Sequence, residues 1–365
     1  MPRLATCSVR FPTLAAALLT FVLSACTDGT PAPEPTATAS ATPTATTTAT
    51  STPSPAPPSA PGVVTPAPLS GRTNAAACAD PYPGGAPYQP EPGAAIRLRP
   101  IARPPALAAF EPLPFIDDPA LAQVVRETIG AEEPRFALVV KNMADGRGVT
   151  LAPERTFYAA SLFKTWVMLE AYHQREEGLL DFDEQYIVSP YYQASKLNSF
   201  ELSPCSVVTA SAALQAMIRI TDNVAANLML DRVGGGNVNE TLRNIGLITA
   251  AIPADGSLPA SAGDMALLLE GIARGQAVSQ QASEEMLALL ATQTINDRLP
   301  ALLPPGTTVA HKTGNWANAN HDAGIVFSPG ATYVIVVLTD YGFGGDVSSR
   351  IARLSRAVYD YYNPE

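Results

Sequence analysis

Residues 27–71 consist almost wholly of Thr, Ala, Pro and Ser, as in "TATASATPTATTTATSTPSPAPP", and hold no aromatic residue that could start a core. Such a stretch cannot bury enough apolar surface to offset the entropy of ordering it, so it reads as a solvated tether. At about 3.1 Å per residue in polyproline II form, its roughly 45 residues would reach on the order of 140 Å, and a flexible average is much shorter. Most of the chain's 35 prolines fall in its first third. A second Pro-rich stretch, Asp80 to Pro114, is compatible with extended packing or with more linker. Ordinary globular sequence begins near Asp117. The chain therefore divides into a leader (1–25), the tether (26–71), a Pro-rich extended segment (72–116) and one folded domain (117–365).

The leader carries Arg3 and Arg10, an apolar run from Leu14 to Leu23, and then small residues. This is the layout of a secretory signal peptide, and the run is too short to span a membrane. Its end, Leu23-Ser24-Ala25-Cys26, resembles a bacterial lipobox, in which the cysteine is lipidated and becomes the first residue of the mature protein. The expectation is an exported protein anchored to the outer face of the bacterial cell membrane through Cys26.

Formal net charge is −10 and no basic run occurs, which argues against nucleic acid as a partner. If Cys7 leaves with the leader and Cys26 is lipidated, Cys78 and Cys205 remain together in an oxidising compartment. A bond between them is open. His173, His311 and His321 are scattered, and no group of ligating residues has metal-site spacing, so neither a metal nor another cofactor is expected.

Within the domain, "DDPALAQVVRETIGAE" has an acidic start and helical apolar spacing. "RFALVVKNMADGRGVTLAP" reads as two strands about an Asp-Gly turn. Helices are expected over 161–177, closed by Gly178, and over 207–233, broken at "RITDNVAAN" and capped by Gly234 to Gly236. Further helices are expected over 262–273, 283–292 and 347–361. Three strands, "TTVAHKTG", "DAGIVFSP" and "TYVIVVLTD", precede the last helix. Strands at both ends with helices between them imply an α+β domain: one antiparallel sheet formed by both termini of the domain, flanked by helices, beside a helical lobe.

"FYAASLFKTW" places Lys164 on a helix that is apolar on nearly every side. A buried ammonium is costly unless it is paired or gives up its proton. Ser161, three residues earlier, shares its helical face. Apolar surroundings depress a lysine pKa, and a neutral amine can take the proton that a serine must lose to become a nucleophile. A helix start at Ser161 adds free N–H groups that favour an oxyanion. On its own, Ser-x-x-Lys equally describes a helix cap followed by a snorkelling lysine.

Two further stretches weigh against that. Thr221-Asp222-Asn223 stands at a break between helices about 60 residues on, and Lys312-Thr313-Gly314 closes an expected strand about 90 residues later. The chain has four lysines, and two of them lie in these motifs. In order, spacing and setting the three resemble the S-x-x-K, S-D-N and K-T-G signature of the penicillin-recognising serine hydrolases, in particular the class A β-lactamase branch. The resemblance runs from about Asp117 to the C-terminus and implies a β-lactamase/transpeptidase-like fold. It implies Ser161 as the acylating nucleophile and Lys164 as its base or proton shuttle. Thr221 would pass a proton to the leaving nitrogen, Asn223 would hold the substrate amide, and Asp222 would be structural. Lys312 would add positive potential, Thr313 would bind the substrate carboxylate, and Gly314 would let substrate lie against the strand. The N–H groups of Ser161 and Asn315 would form the oxyanion hole. The implied partner is a β-lactam or a peptidoglycan stem peptide, bound by a monomer.

The chain departs from that pattern twice. Thr221 replaces the usual serine, and its methyl restricts the hydroxyl's rotamers. The glutamate-x-x-leucine-asparagine loop, whose glutamate activates the deacylating water, is missing. No Glu lies between Glu240 and Glu270, both of which fall in expected helices, and Asp255 in "PADGS" reads as a turn carboxylate. Three readings stay open: a β-lactamase with an unconventional deacylating water, a D-alanyl-D-alanine peptidase, and a cell-wall binding module. The activated nucleophile disfavours the third. Cys26→Ala is expected to move the protein from the membrane to the soluble exported fraction, as fractionation and immunoblotting would record; an unsubstituted protein already soluble would contradict the anchor.

Overall fold

The computed structural model describes residues 102–188, 192, 202–317, 319–340 and 347–364. The leader, Cys26, the tether, Cys78 and the first part of the Pro-rich segment lie outside the described residues. Among those described, six strands form the main sheet, in the order β1 (Ile116–Asp117), β3 (Arg147–Leu151), β2 (Phe136–Asn142), β10 (Thr332–Thr339), β9 (Ala319–Phe327), β8 (Thr308–Trp316). Both ends of the domain contribute, as expected. The pairing is antiparallel except where β1 runs parallel to β3.

Alternation along the central strands builds two cores at once. Phe136, Leu138 and Val140 of β2, with Tyr333, Ile335 and Val337 of β10, pack under α1 (Pro119–Ile129) and the C-terminal helix α8 (Val347–Tyr362). The intervening Ala137 and Val139, with Val334, Val336 and Leu338, belong to the larger core shared with the helical lobe. Among the described residues that lobe contains α2 (Phe163–Glu176), α3 (Ala210–Arg219), α4 (Asn223–Val233), α5 (Gly235–Asn244), α6 (Ala262–Ala273) and α7 (Gln280–Leu290). Each helix start has a local cause where the sequence supplies a cap: Asp118, Thr209, Asp222, Ser261 and Ser279 each accept a hydrogen bond from the N–H three residues on.

Three expectations need correction. Residues Val207–Thr209 are not helical; they form β6, which pairs with β5 (Gln185–Ile187), and its β-branched residues suit a strand. Gly234, at φ +83°, caps α4 as expected, its N–H donating to Leu230 O, but Gly235 and Gly236 are not part of the cap: they open α5, which starts at once. Ser161 does not begin an α-helix. It sits in a single 3-10 turn, Ala160–Leu162, ahead of α2.

The end of the Pro-rich segment packs onto the domain. Ala102 O accepts from Asn237 Nδ2 (3.1 Å), Arg103 pairs with Glu240 (2.7 Å), and the Phe110 ring is buried over Gly271 of α6. A Cβ at Gly271 would lie 2.2 Å from the Phe110 ring, so only glycine leaves room. Leu113 is clamped by a buried ion pair: Lys141 Nζ donates to Glu270 Oε2 and to Leu113 O (2.6 Å each), while Glu270 Oε1 accepts from Leu113 N (2.6 Å). Removing one member strands a charge in the interior, which typically costs about 3–5 kcal/mol. Glu270→Gln is therefore expected to destabilise by about 3 kcal/mol, and Phe110→Ala by a similar ~3 kcal/mol through a cavity. Denaturant unfolding would measure both; values within error of the unsubstituted protein would show that the strap is not part of the fold.

Candidate active site

The nucleophile motif is braced from both flanks. Phe157–Tyr158 form β4, which pairs with β7 (Pro259–Ala260), and Ala159 N donates to Leu258 O (2.8 Å). The chain then turns through Ala160 at φ +47°, a left-handed conformation that typically costs about 1–3 kcal/mol for a residue with a Cβ. Edge strand β8 closes against this turn at Gly314, where a Cβ would lie 2.9 Å from Ala159 O and 3.2 Å from Leu162 Cγ. Gly314 thus serves the contact between the strand and the turn. Ser161 is left half-buried at the cleft.

Lys164, fully buried on α2, donates from Nζ to Thr221 O (2.6 Å) and to Asn223 Oδ1 (2.7 Å). A neutral amine has two N–H donors and one lone pair. In the neutral form the two N–H donors therefore match the two acceptors, and the lone pair is free to accept a proton. Burial holds the Lys164 pKa well below its usual value, nearby Lys312 lowers it further, and Asp222 opposes both.

Thr221 joins the two lysines. Its carbonyl accepts from Lys164, and its Oγ1 accepts from Lys312 Nζ (2.7 Å), which also donates to Thr313 O (2.9 Å). This β-branched residue is held at φ +63°, a rare conformation for its type. Asp222 fixes the break as the N-cap of α4, with Oδ1 accepting from Ala225 N (2.9 Å). Lys312 is fully buried, and its pKa falls to about 7, chiefly by desolvation; Asp322 raises it and Arg298 lowers it.

The positions named from sequence fall on three segments: Ser161 and Lys164 at the 3-10 turn and the start of α2, Thr221 and Asn223 at the helix break, and Lys312, Thr313, Gly314 and Asn315 along β8. The bonds of Thr221 to Lys164 and Lys312, and the packing of Gly314 against Ala159 and Leu162, bring the three together. Cys26 lies outside the described residues. Cys205 is disulfide-bonded, and its partner lies outside them too.

Sequence reading missed the layer behind β8. Arg298 is buried there, donating to His321 O (2.7 Å) and to Asn315 Oδ1 (2.5 Å), so the exposed Asn315 is held from beneath. His311 bonds Asp322 (2.9 Å) and Asn296 (3.0 Å). No motif marks Arg298. His321, however, is directly opposite Gly314 in the β8/β9 register, a position readable once the turn is placed after Trp316.

The loop between α5 and α6 is short and tied down. Asp264 accepts from the N–H groups of Ile248, Thr249 and Ala250 (3.1, 2.7 and 2.6 Å), and Asn239 exchanges two bonds with the Ile252 backbone. Asp255, its one acid, is exposed and accepts from Ser257 N (2.9 Å), which lowers its pKa. Glu240 pairs with Arg103 and Glu270 with Lys141, so neither faces the cleft as a free base.

The depressed Lys312 pKa has a measurable consequence. An unfolded lysine keeps its proton up to about pH 10.4, whereas the folded group loses it near pH 7. Between those values the unfolded state binds more protons, so stability rises with pH; below pH 7 the full penalty is present. Denaturation at pH 7 and pH 9 is expected to show this gain, and Lys312→Met is expected to reduce it, leaving the part that the depressed Lys164 pKa contributes. An unchanged pH slope in the variant would contradict the assignment.

Comparison with known proteins identifies the family. The family model for the beta-lactamase enzyme family matches residues 120–362. The extended-spectrum beta-lactamase PER-1 of Pseudomonas aeruginosa is 25% identical over 249 residues, 60% of this chain and 79% of that one. The carbapenem-hydrolyzing beta-lactamase KPC of Klebsiella oxytoca is 26% identical over 249 residues, 62% and 84% of the two chains. Among solved structures, PBP-A superimposes with a TM-score of 0.64 at 25% identity, over 70% of this chain and all of that one. A leucine-to-glutamate variant of PBP-A, solved as its acyl-enzyme complex with penicillin G, gives 0.64 at 26% identity, over 69% of this chain and 100% of that one. With the family model spanning most of the folded domain, this chain belongs to the beta-lactamase enzyme family.

Proposed function

We propose that this serine hydrolase is an exported, membrane-anchored enzyme that forms an acyl-enzyme through Ser161 with β-lactams and with D-alanyl-D-alanine stem peptides, and frees itself slowly from the former. The observation that carries the reading is the fully buried Lys164 amine, three residues from Ser161, which bonds Thr221 O and Asn223 Oδ1 and whose pKa burial holds well below its usual value.

In this scheme Lys164 takes the Ser161 proton and Oγ attacks the substrate carbonyl. The oxyanion is stabilised by the N–H groups of Ser161 and Asn315. As the C–N bond breaks, the Thr221 hydroxyl gives its proton to the departing nitrogen and regains one from Lys312, whose amine it already touches. Asn223 orients the substrate amide. Thr313, two residues before the Asn315 that buried Arg298 bonds on the same strand, suits a substrate carboxylate. The disulfide at Cys205 supports an oxidising compartment, consistent with lipidation at Cys26.

Deacylation needs a base at the ester. Glu240 and Glu270, which flank the loop in sequence, are paired elsewhere, Asp255 is bound in its own turn, and the buried Glu170 is engaged by Gln174 and Thr241 inside the lobe. Loss of such a base costs on the order of 10²–10⁴ in rate. A β-lactam acyl group, tethered to its leaving nitrogen, would block the cleft. A peptide's D-alanine would diffuse away and admit water or an acceptor amine. The likeness to a PBP-A variant captured as its penicillin G acyl-enzyme supports a penicillin adduct that persists on this chain.

Intact-mass spectrometry after mixing with a penicillin is expected to show a one-to-one adduct lasting minutes to hours, absent in Ser161→Ala and formed far more slowly in Lys164→Ala. A D-alanyl-D-alanine peptide is expected to be turned over. Rapid return to free mass with many equivalents hydrolysed would make this an efficient β-lactamase instead, and neither adduct nor turnover would leave a binding module.

A further inference from the structure

We infer that His321 is a positioning residue for Ser161: its imidazole fixes the backbone carbonyl of Tyr158 and keeps the strained nucleophile turn in register with β8. The inference rests on the reading of Ser161 as the nucleophile.

His321 is fully buried on β9 and bonded through both ring nitrogens. Thr339 N donates to its Nδ1 (3.1 Å), so Nδ1 carries no proton. The proton is then on Nε2, which donates to Tyr158 O (2.9 Å). One tautomer therefore satisfies both neighbours, and burial, which lowers the pKa to about 4, keeps the ring neutral at ordinary pH. The Phe157 ring stands edge-on to the imidazole, 5.9 Å between centroids at 87°, and fixes its plane.

The position matters because of the two residues after Tyr158. Ala159 N is tied to Leu258 O, Ala159 O sits in the space left by Gly314, and Ala160 is then forced to positive φ. A strained residue keeps its conformation only where its surroundings over-determine it. Through His321, β9 and β10 hold this turn at the Tyr158 carbonyl. Without that bond the turn can relax and carry Ser161 Oγ away from the Lys164 lone pair. Displacements of about 1 Å at a reacting atom can cost on the order of a hundredfold.

Two amide substitutions separate the two bonds. His321→Gln puts an amide N–H near the Nε2 position and keeps the donor to Tyr158, whereas His321→Asn puts an acceptor near Nδ1 and keeps Thr339 alone. Labelling kinetics with a fluorescent penicillin, resolved into a pre-covalent dissociation constant and an acylation rate constant, would be read beside the thermal transition. Both variants are expected to lose some stability. Only His321→Asn is expected to slow the acylation step, on the order of tenfold to a hundredfold, with the dissociation constant unchanged. Equal slowing in both variants, or none in His321→Asn, would overturn the inference. If neither variant folds, Phe157→Leu decides, since freeing the imidazole to tilt is expected to slow acylation and an unchanged rate would overturn the inference. An unsubstituted protein that labels normally beside a fully active His321→Asn refutes this inference alone; an unsubstituted protein that does not label at all refutes the reading of Ser161 and this inference with it.

Discussion

Two lysine amines removed from water meet on one residue. Lys164 bonds the carbonyl of Thr221 and Lys312 bonds its hydroxyl, so two buried amines share one residue. Both cannot comfortably be charged in that setting, and burial together with mutual repulsion drives at least one toward the neutral amine. Much of the domain serves this meeting. The sheet supplies Lys312, α2 supplies Lys164, and the break between α3 and α4 supplies Thr221 at a strained backbone angle. A protein interior accepts such an arrangement only where the surrounding packing holds it, which accounts for the dense bonding around each motif.

The short loop between α5 and α6 is a second device of the same kind. It does not carry a carboxylate into the cleft, yet it is ordered by the buried Asp264 and by Asn239, and it ends in the strand β7 that braces β4. Its fixed part is thus to support the nucleophile turn from one flank while His321 supports it from the other. Chemistry that depends on this loop is limited to forming the acyl-enzyme in the reading proposed above. The step it omits falls to whatever water and base the departing group leaves behind.

The central strands were legible because their alternation serves two cores, and the helices because most carry a Ser, Thr or Asp cap at the right spacing. The three motifs were legible because Lys164 stands in an apolar helix and because Ser-x-x-Lys, Thr221-Asp222-Asn223 and Lys312-Thr313-Gly314 follow one another in a single order and spacing. Val207–Thr209 misled because three apolar or β-branched residues ahead of a helix fit its period as readily as that of a short strand. Arg298, the bonds of His321 and the 3-10 turn at Ser161 were not legible, for a different reason. Their roles depend on which residues tertiary packing sets behind β8, and local pattern carries no information about that. The strap was undecided because proline-rich sequence suits a solvated linker and an extended packed segment equally well; what distinguishes them is the space over Gly271, far along the chain and marked by no motif.

That strap also sets how the domain would respond to a pull. A load applied from the N-terminal side first meets the exposed Arg103–Glu240 pair and the single bond from Asn237, then the Phe110 ring, and last the buried Lys141–Glu270 clamp on Leu113. The contacts are graded from weak to strong along the chain, so peeling would lengthen the connection by roughly ten residues, some 30 Å, before force reached the sheet. The catalytic cleft, built on α2, the α3–α4 break and β8, would be shielded from tension until the clamp gave way.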